Sequence, residues 1–79
     1  MLDLSYASGL MVTLAVGQQT EVSFLCDDAL AAEIKDAYDG AQTISMGTDS
    51  RFLITEILIA PLQTRPGTSS VDITIHSMP

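Results

Sequence analysis

Apolar and polar residues alternate along most of this chain, and the alternation breaks once. Over residues 2–6, Leu2, Leu4 and Tyr6 face one way and Asp3 and Ser5 the other, which is the period of a half-buried strand. Ser8-Gly9 turns the chain or bends a long strand. Over 10–16, Leu10, Val12, Leu14 and Val16 share one face, with Met11, Thr13 and Ala15 opposite. Gly17-Gln18-Gln19-Thr20 predicts a hairpin loop. Val22, Phe24 and Cys26 then line one face of a further strand, and Glu21, Ser23 and Leu25 the other.

The break comes at Asp27. Aspartate is a good N-cap, and Asp28 puts a second negative charge in the first turn, where the helix dipole favours it. Leu30, Ile34, Ala37 and Tyr38 fall on one apolar stripe, with Asp28, Ala32, Lys35, Asp36 and Asp39 on the opposite side. Gly40 is placed to end the helix in the left-handed conformation. Beyond it, Ile44 and Met46 alternate with Thr43 and Ser45, and Gly47-Thr48-Asp49-Ser50 predicts a second hairpin loop. The longest predicted strand covers 51–60, with Leu53, Ile57 and Ile59 on one face and Phe52, Ile54, Leu58 and Ala60 on the other. Pro61 stops it, 62–70 reads as an exposed, mobile loop around Arg65-Pro66-Gly67, and Val71, Ile73 and Ile75 form a last strand.

Strands, one helix, then strands, with short joints, predict an α+β fold. It is expected to be an antiparallel sheet of about five strands with one short helix packed on one face. At 79 residues the chain is one domain, 1–79. One helix covers part of one face, yet 51–60 is apolar on both. A curled sheet or a second chain must cover the rest, and the expectation is a homodimer whose interface includes Phe52, Ile54 and Leu58. Chain length points the same way. A domain this short buries only about 60% of the surface its unfolded form exposes. Cys26 is the lone cysteine, so no internal disulfide adds stability.

Charge changes the picture most. Ten acidic residues against three basic ones leave a net charge of −7. Such a chain repels nucleic-acid phosphates and anionic lipid heads, and a basic protein surface attracts it. Direct nucleic-acid or membrane binding is therefore not expected. Met1-Leu2-Asp3 does not read as a signal peptide, and the apolar run over 10–16 is too short to cross a bilayer, so the expected compartment is the cytoplasm.

Candidate chemistry is sparse. His76 is the one imidazole and so the first candidate for a general base, but it stands close to the chain end, where its plain reading is a solvent-facing strand residue. Cys26 precedes a helix N-terminus, which lowers a thiol pKa, but Asp27 and Asp28 raise it, so a small buried hydrophobe is the favoured reading. Cys26 and His76 are too few soft ligands for zinc. No G-x-S-x-G, G-x-x-x-x-G-K-[ST] or G-x-G-x-x-G pattern occurs. The expectation is a non-enzyme with no catalytic residues, metal or cofactor. A pocket between sheet and helix, lined by Tyr38 and Phe24, is a further ligand-binding reading.

The acidic helix carries the functional reading. Asp27, Asp28, Glu33, Asp36 and Asp39 lie within one short span, relieved by Lys35. They lack the D-x-[DN]-x-[DN]-G calcium pattern, and carboxylates splayed along a helix do not converge on one ion. Their plain reading is a solvated face that keeps the protein soluble. Their functional reading is a partner-binding surface of Asp28, Glu33, Asp36 and Asp39 that pairs with arginines and lysines otherwise engaged by phosphates. Asp3, Asp49, Glu56 and Asp72 extend that surface if they share a side of the sheet. In size, charge, acidic helix and lack of catalytic motifs the chain resembles small acidic inhibitor proteins of phages and mobile elements, of the anti-CRISPR and DNA-mimic type. That resemblance implies a stoichiometric inhibitor covering the nucleic-acid-binding surface of a larger protein or ribonucleoprotein complex in the host cytoplasm. It carries no functional residue over. The alternative is a structural or assembly subunit, for example of a phage particle, that self-associates through 51–60.

Overall fold

The computed structural model describes residues 2–4, 15–45 and 51–79. Their order is β1 (Leu2–Asp3), β2 (Gln19–Asp27), α1 (Asp28–Asp39), β3 (Thr43–Ser45), β4 (Arg51–Pro61) and β5 (Thr68–Met78). The strands form one five-stranded sheet in the order β1-β3-β4-β5-β2, curled into a half-barrel, with the helix packed on one face, an α+β fold. The strand predicted over 10–16 and the loop at 47–50 fall largely outside the described residues. Of the former, Ala15 and Val16 are described, and they lead into the turn before β2 rather than forming a strand.

The purely antiparallel expectation is corrected at one edge. β1 runs parallel to β3, pairing Leu2 with Ile44 and Asp3 with Ser45, while the β3–β4, β4–β5 and β5–β2 pairs are antiparallel. No hairpin dictates the direction of β1, because β2 and α1 lie between it and β3 in the chain, and a long crossover permits parallel pairing.

β2 begins at Gln19, because Gln18 closes the turn against Ser77 through paired backbone hydrogen bonds (Gly17 N–H to Ser77 O at 3.1 Å, Ser77 N–H to Gln18 O at 2.8 Å). As its alternation predicts, β2 directs Val22, Phe24 and Cys26 to the core face and Glu21, Ser23 and Leu25 away from it. β5 is longer than its apolar triplet Val71, Ile73 and Ile75 suggests. Asp27, Cys26 and Leu25 of β2 pair with Thr68, Ser69 and Ser70, so the last third of the predicted loop is strand, and the loop proper is confined to 62–67. Ser69 and Ser77 complete the buried face of β5.

β4 departs furthest from its pattern. A β-bulge between Ile54 and Glu56 sets Thr55 and Glu56 against the single residue Thr74, and the Thr55 hydroxyl donates to the Thr74 carbonyl at 3.3 Å. One extra residue exchanges the faces beyond it. Phe52 and Ile54 therefore share the core side with Ile57 and Ile59, whereas Leu58 and Ala60 face away. This corrects the grouping of Phe52, Ile54 and Leu58 as one interface. Phe52 (fully buried) and Ile54 lie in the core of the single chain, and Leu58 is 65% exposed on the other side.

α1 starts where the caps predict. The Asp27 carboxylate accepts the Leu30 N–H at 2.7 Å, satisfying one of the N–H groups that a first turn leaves unpaired. Leu30, Ala31, Ile34 and Ala37 are buried against the sheet, so Ala31 takes the place that the stripe assigned to Tyr38, which lies at the surface. The core is Leu4, Ile34, Ile44, Phe52, Val71, Ile73 and Ile75 with their neighbours. The helix ends at Asp39 with Gly40 as its cap, as expected, but the left-handed residue lies one place further on. Gly40 has φ −88°, and Ala41 takes the left-handed conformation at φ 51°. Ala41 N–H donates to Tyr38 O and Gln42 N–H to Ala37 O, the paired bonds that close a helix C-terminus. A side chain in that conformation costs about 1–2 kcal/mol. Ala41→Gly is thus expected to stabilise the fold by about 1 kcal/mol, read as a higher urea midpoint at unchanged slope.

Candidate functional site

No described helix is long and apolar enough to cross a membrane. The surface is instead marked by two acidic regions on opposite sides of the sheet. The first is the solvent face of α1. Its amphipathic spacing packs Leu30 and Ile34 inward and leaves Asp28, Glu33, Asp36 and Asp39 exposed, so all four predicted residues stand on one element. Their chemical situations differ. The Asp28 carboxylate accepts from the buried Ser69 hydroxyl at 2.6 Å, and the Asp28 N–H donates to Gly67 O at 3.0 Å. Asp28 is therefore a structural tie between the helix start, the 62–67 loop and β5. Asp39 pairs with Lys35 at 3.1 Å in an exposed i,i+4 ion pair. Lys35 is the chain's one lysine, so its charge is spent on Asp39. The Glu33 and Asp36 carboxylates have no ion-pair or hydrogen-bond partner among the described residues.

The second acidic region is on the sheet, on the side away from the helix. β2, β5 and β4 lie side by side there, and Thr74 is flanked by Glu21 on one strand and Glu56 on the other, one register step from Asp72. Adjacent strands are about 4.8 Å apart, so Glu21 and Glu56 stand about 10 Å from each other across Thr74. With Ser23 and Leu58 they rim a shallow hollow of about 380 Å³. Glu56 and Asp72 do share a side of the sheet, but it is not the side that carries the helix. Asp3 is exposed on β1, and Asp49 lies outside the described residues. Glu21, an outward strand residue by its alternation, joins the set. The signal was its place in the β2 alternation, which needed the β2–β5–β4 strand order to become a cluster.

These carboxylates do not converge. Among the described residues, no group of three histidine, cysteine, aspartate or glutamate side chains is placed to hold a metal ion. Cys26 is buried at the end of β2, where desolvation, then the charges of Asp27 and Asp28, push its thiol above the ordinary value of 9.0. It is protonated at neutral pH and a poor nucleophile. His76 sits within β5 rather than on a frayed end, between Gln19 and Leu53 on the side away from the helix. Ser69 points to the helix side, several residues away along the strand, so Ser69, Asp28 and His76 do not form a nucleophilic triad. Phe24 packs on the core and Tyr38 lies at the surface, which separates the two residues proposed to line one pocket. No protein family, characterised protein or solved structure matches this chain.

Proposed function

We propose that the protein is a non-enzymatic inhibitor that binds a basic, nucleic-acid-binding surface of a larger cytoplasmic complex, in the manner of the anti-CRISPR and DNA-mimic proteins it resembles. One observation carries this reading. The exposed Glu33 and Asp36 carboxylates stand on a rigid helix with no cation beside them, since Lys35 is held by Asp39. Unpaired carboxylates at fixed positions lose little on meeting arginines or lysines, and each charge-assisted contact adds to orientation as well as affinity. A helix also holds them at a set spacing, as a phosphate backbone holds its charges. Glu21, Glu56 and Asp72 give the opposite side of the sheet the same sign, which strengthens attraction at a distance.

The test is displacement of duplex DNA from a panel of purified basic nucleic-acid-binding complexes, with the wild-type protein and a Glu33→Lys/Asp36→Lys variant. Asp28 and Asp39 are left in place because they have partners within the chain. The expected result is stoichiometric displacement by the wild type from at least one complex, weakening steeply with salt, and a loss of tenfold or more in the folded variant. Equal displacement by both proteins, or none from any complex, refutes the reading. The alternative, an assembly subunit, is favoured by one observation, the exposure of Leu58 and Leu25 on the sheet face away from the helix.

A further inference from the structure

We infer that the C-terminal half of β4 is a pairing edge for a second copy of this chain, joining two sheets into one across a two-fold axis at Leu58. β3 pairs only with Phe52 and Leu53, so from Ile54 onward β4 has β5 on one side and no strand on the other among the described residues. Such an edge presents unpaired N–H and C=O groups and templates strand addition. The bulge at Ile54/Glu56 and Pro61, which lacks an N–H, bound the usable stretch to Glu56, Ile57, Leu58, Ile59 and Ala60.

The composition of this stretch selects the occupant. An antiparallel pair centred on Leu58 sets Leu58 against the partner's Leu58, Ile57 against the partner's Ile59, and Glu56 against the partner's Ala60. Residues directly opposite share a face. Half-buried Ile57 and Ile59 therefore meet on the helix side, and the exposed Leu58 pair meets on the other. An axis at Glu56 sets like charges opposite each other, which the Leu58 register avoids. Charge points the same way. Two chains of net charge −7 repel over most of their surfaces, but no charged residue occurs on β4 beyond Glu56. A basic partner has its attraction elsewhere, at the carboxylates. Space is also present. A groove of about 370 Å³ runs between α1 and this end of β4, lined by Asp28, Ala31, Ala32 and Lys35 on the helix side and by Ile59 and Pro61 on the strand side. The pair leaves Glu33 and Asp36 outside the contact, so this inference does not rest on the proposed function.

Light scattering during size exclusion, at low and high salt, is the first measurement. The expected mass is twice the 8.4 kDa of the chain at both salts, because the contact is mainly apolar and sets each Glu56 against an alanine rather than against another charge. Leu58→Glu, an exposed position, is expected to give a folded monomer, since it sets two carboxylates across the axis. In a Cys26→Ala background, Leu58→Cys is expected to form a disulfide-linked dimer on mild oxidation. Leu25→Cys, on the same side of the sheet but on β2, is expected not to. A wild-type monomer at every concentration overturns the inference and leaves the edge for a strand of another protein. So does a dimer that Leu58→Glu does not dissociate, or one in which Leu25→Cys cross-links and Leu58→Cys does not.

Discussion

Phe52→Ala is expected to remove about 3–5 kcal/mol of folding stability, the cost of truncating a buried phenylalanine when the surrounding core only partly collapses into the cavity. Phe52 is fully buried and sits where three strands meet, paired with Ile44 on β3 and Ser77 on β5. For a domain of this length the whole margin is on the order of 4–12 kcal/mol. The variant should therefore be largely unfolded at 37 °C or unfold at a much lower urea concentration. Leu58→Ala, on the same strand but exposed, should change monomer stability by about 0.5 kcal/mol or less. Urea unfolding followed by circular dichroism at low protein concentration, where subunit pairing contributes least, separates the two. Similar losses at both positions would contradict the exchange of faces at the bulge. The comparison matters because a simple alternation along β4 places the two residues on one side, and a charge introduced at Phe52 would then be misread as breaking an interface when it had broken the core.

The second large effect is expected at Asp28. Asp28→Ala strands the Ser69 hydroxyl, which is 5% exposed and donates to the Asp28 carboxylate. A buried polar group that loses its partner costs about 1–3 kcal/mol. Ser69→Ala removes the hydroxyl as well as the bond, leaves an exposed carboxylate free to be hydrated, and should cost less. The double variant is expected to lose less than the sum of the two, by about 1 kcal/mol, in a double-mutant cycle on urea-derived stabilities. Strict additivity would mean that the 2.6 Å contact contributes nothing. The result bears on function directly. A charge reversal that includes Asp28 weakens the fold along with the acidic face, so loss of partner binding by such a variant has two causes. Glu33 and Asp36 are the positions at which charge can be altered alone.

How far sequence reading reaches is visible in individual elements. α1 is legible at its start and along most of its buried face, because an N-cap, a first-turn acid and a helical apolar period are local signals. Its rotation against the sheet is less legible. Ala31 is buried in place of Tyr38, a choice that depends on which side chains the sheet presents to the helix. The end of α1 misleads because Gly40 is the residue that most easily adopts the left-handed conformation, yet Ala41 takes it instead. β2 and the centre of β5 follow their alternation faithfully, one face apolar and the other polar but for the exposed Leu25. β4 hides its bulge because the residues on both sides of Thr55-Glu56 are apolar on both faces, so a strand with or without the extra residue offers an apolar face.

The acidic candidates divide along the same line. Asp28, Glu33, Asp36 and Asp39 could be grouped in advance because a helix brings residues three and four apart together. Their separate states could not, because the partner of Asp28 lies on a distant strand, at Ser69. Glu21, Glu56 and Asp72 are far apart in the chain, and only strand order and register make them neighbours. The α+β class, the helix and its cap, the main strands and the acidic character are all legible in the chain, because they follow from local periodicity and composition. The parallel β1–β3 edge, the faces of β4, the β4 edge left without a strand among the described residues and the second acidic region emerge only in three dimensions. Each of these depends on which strand pairs with which and in what register, a choice set by contacts between residues remote in sequence.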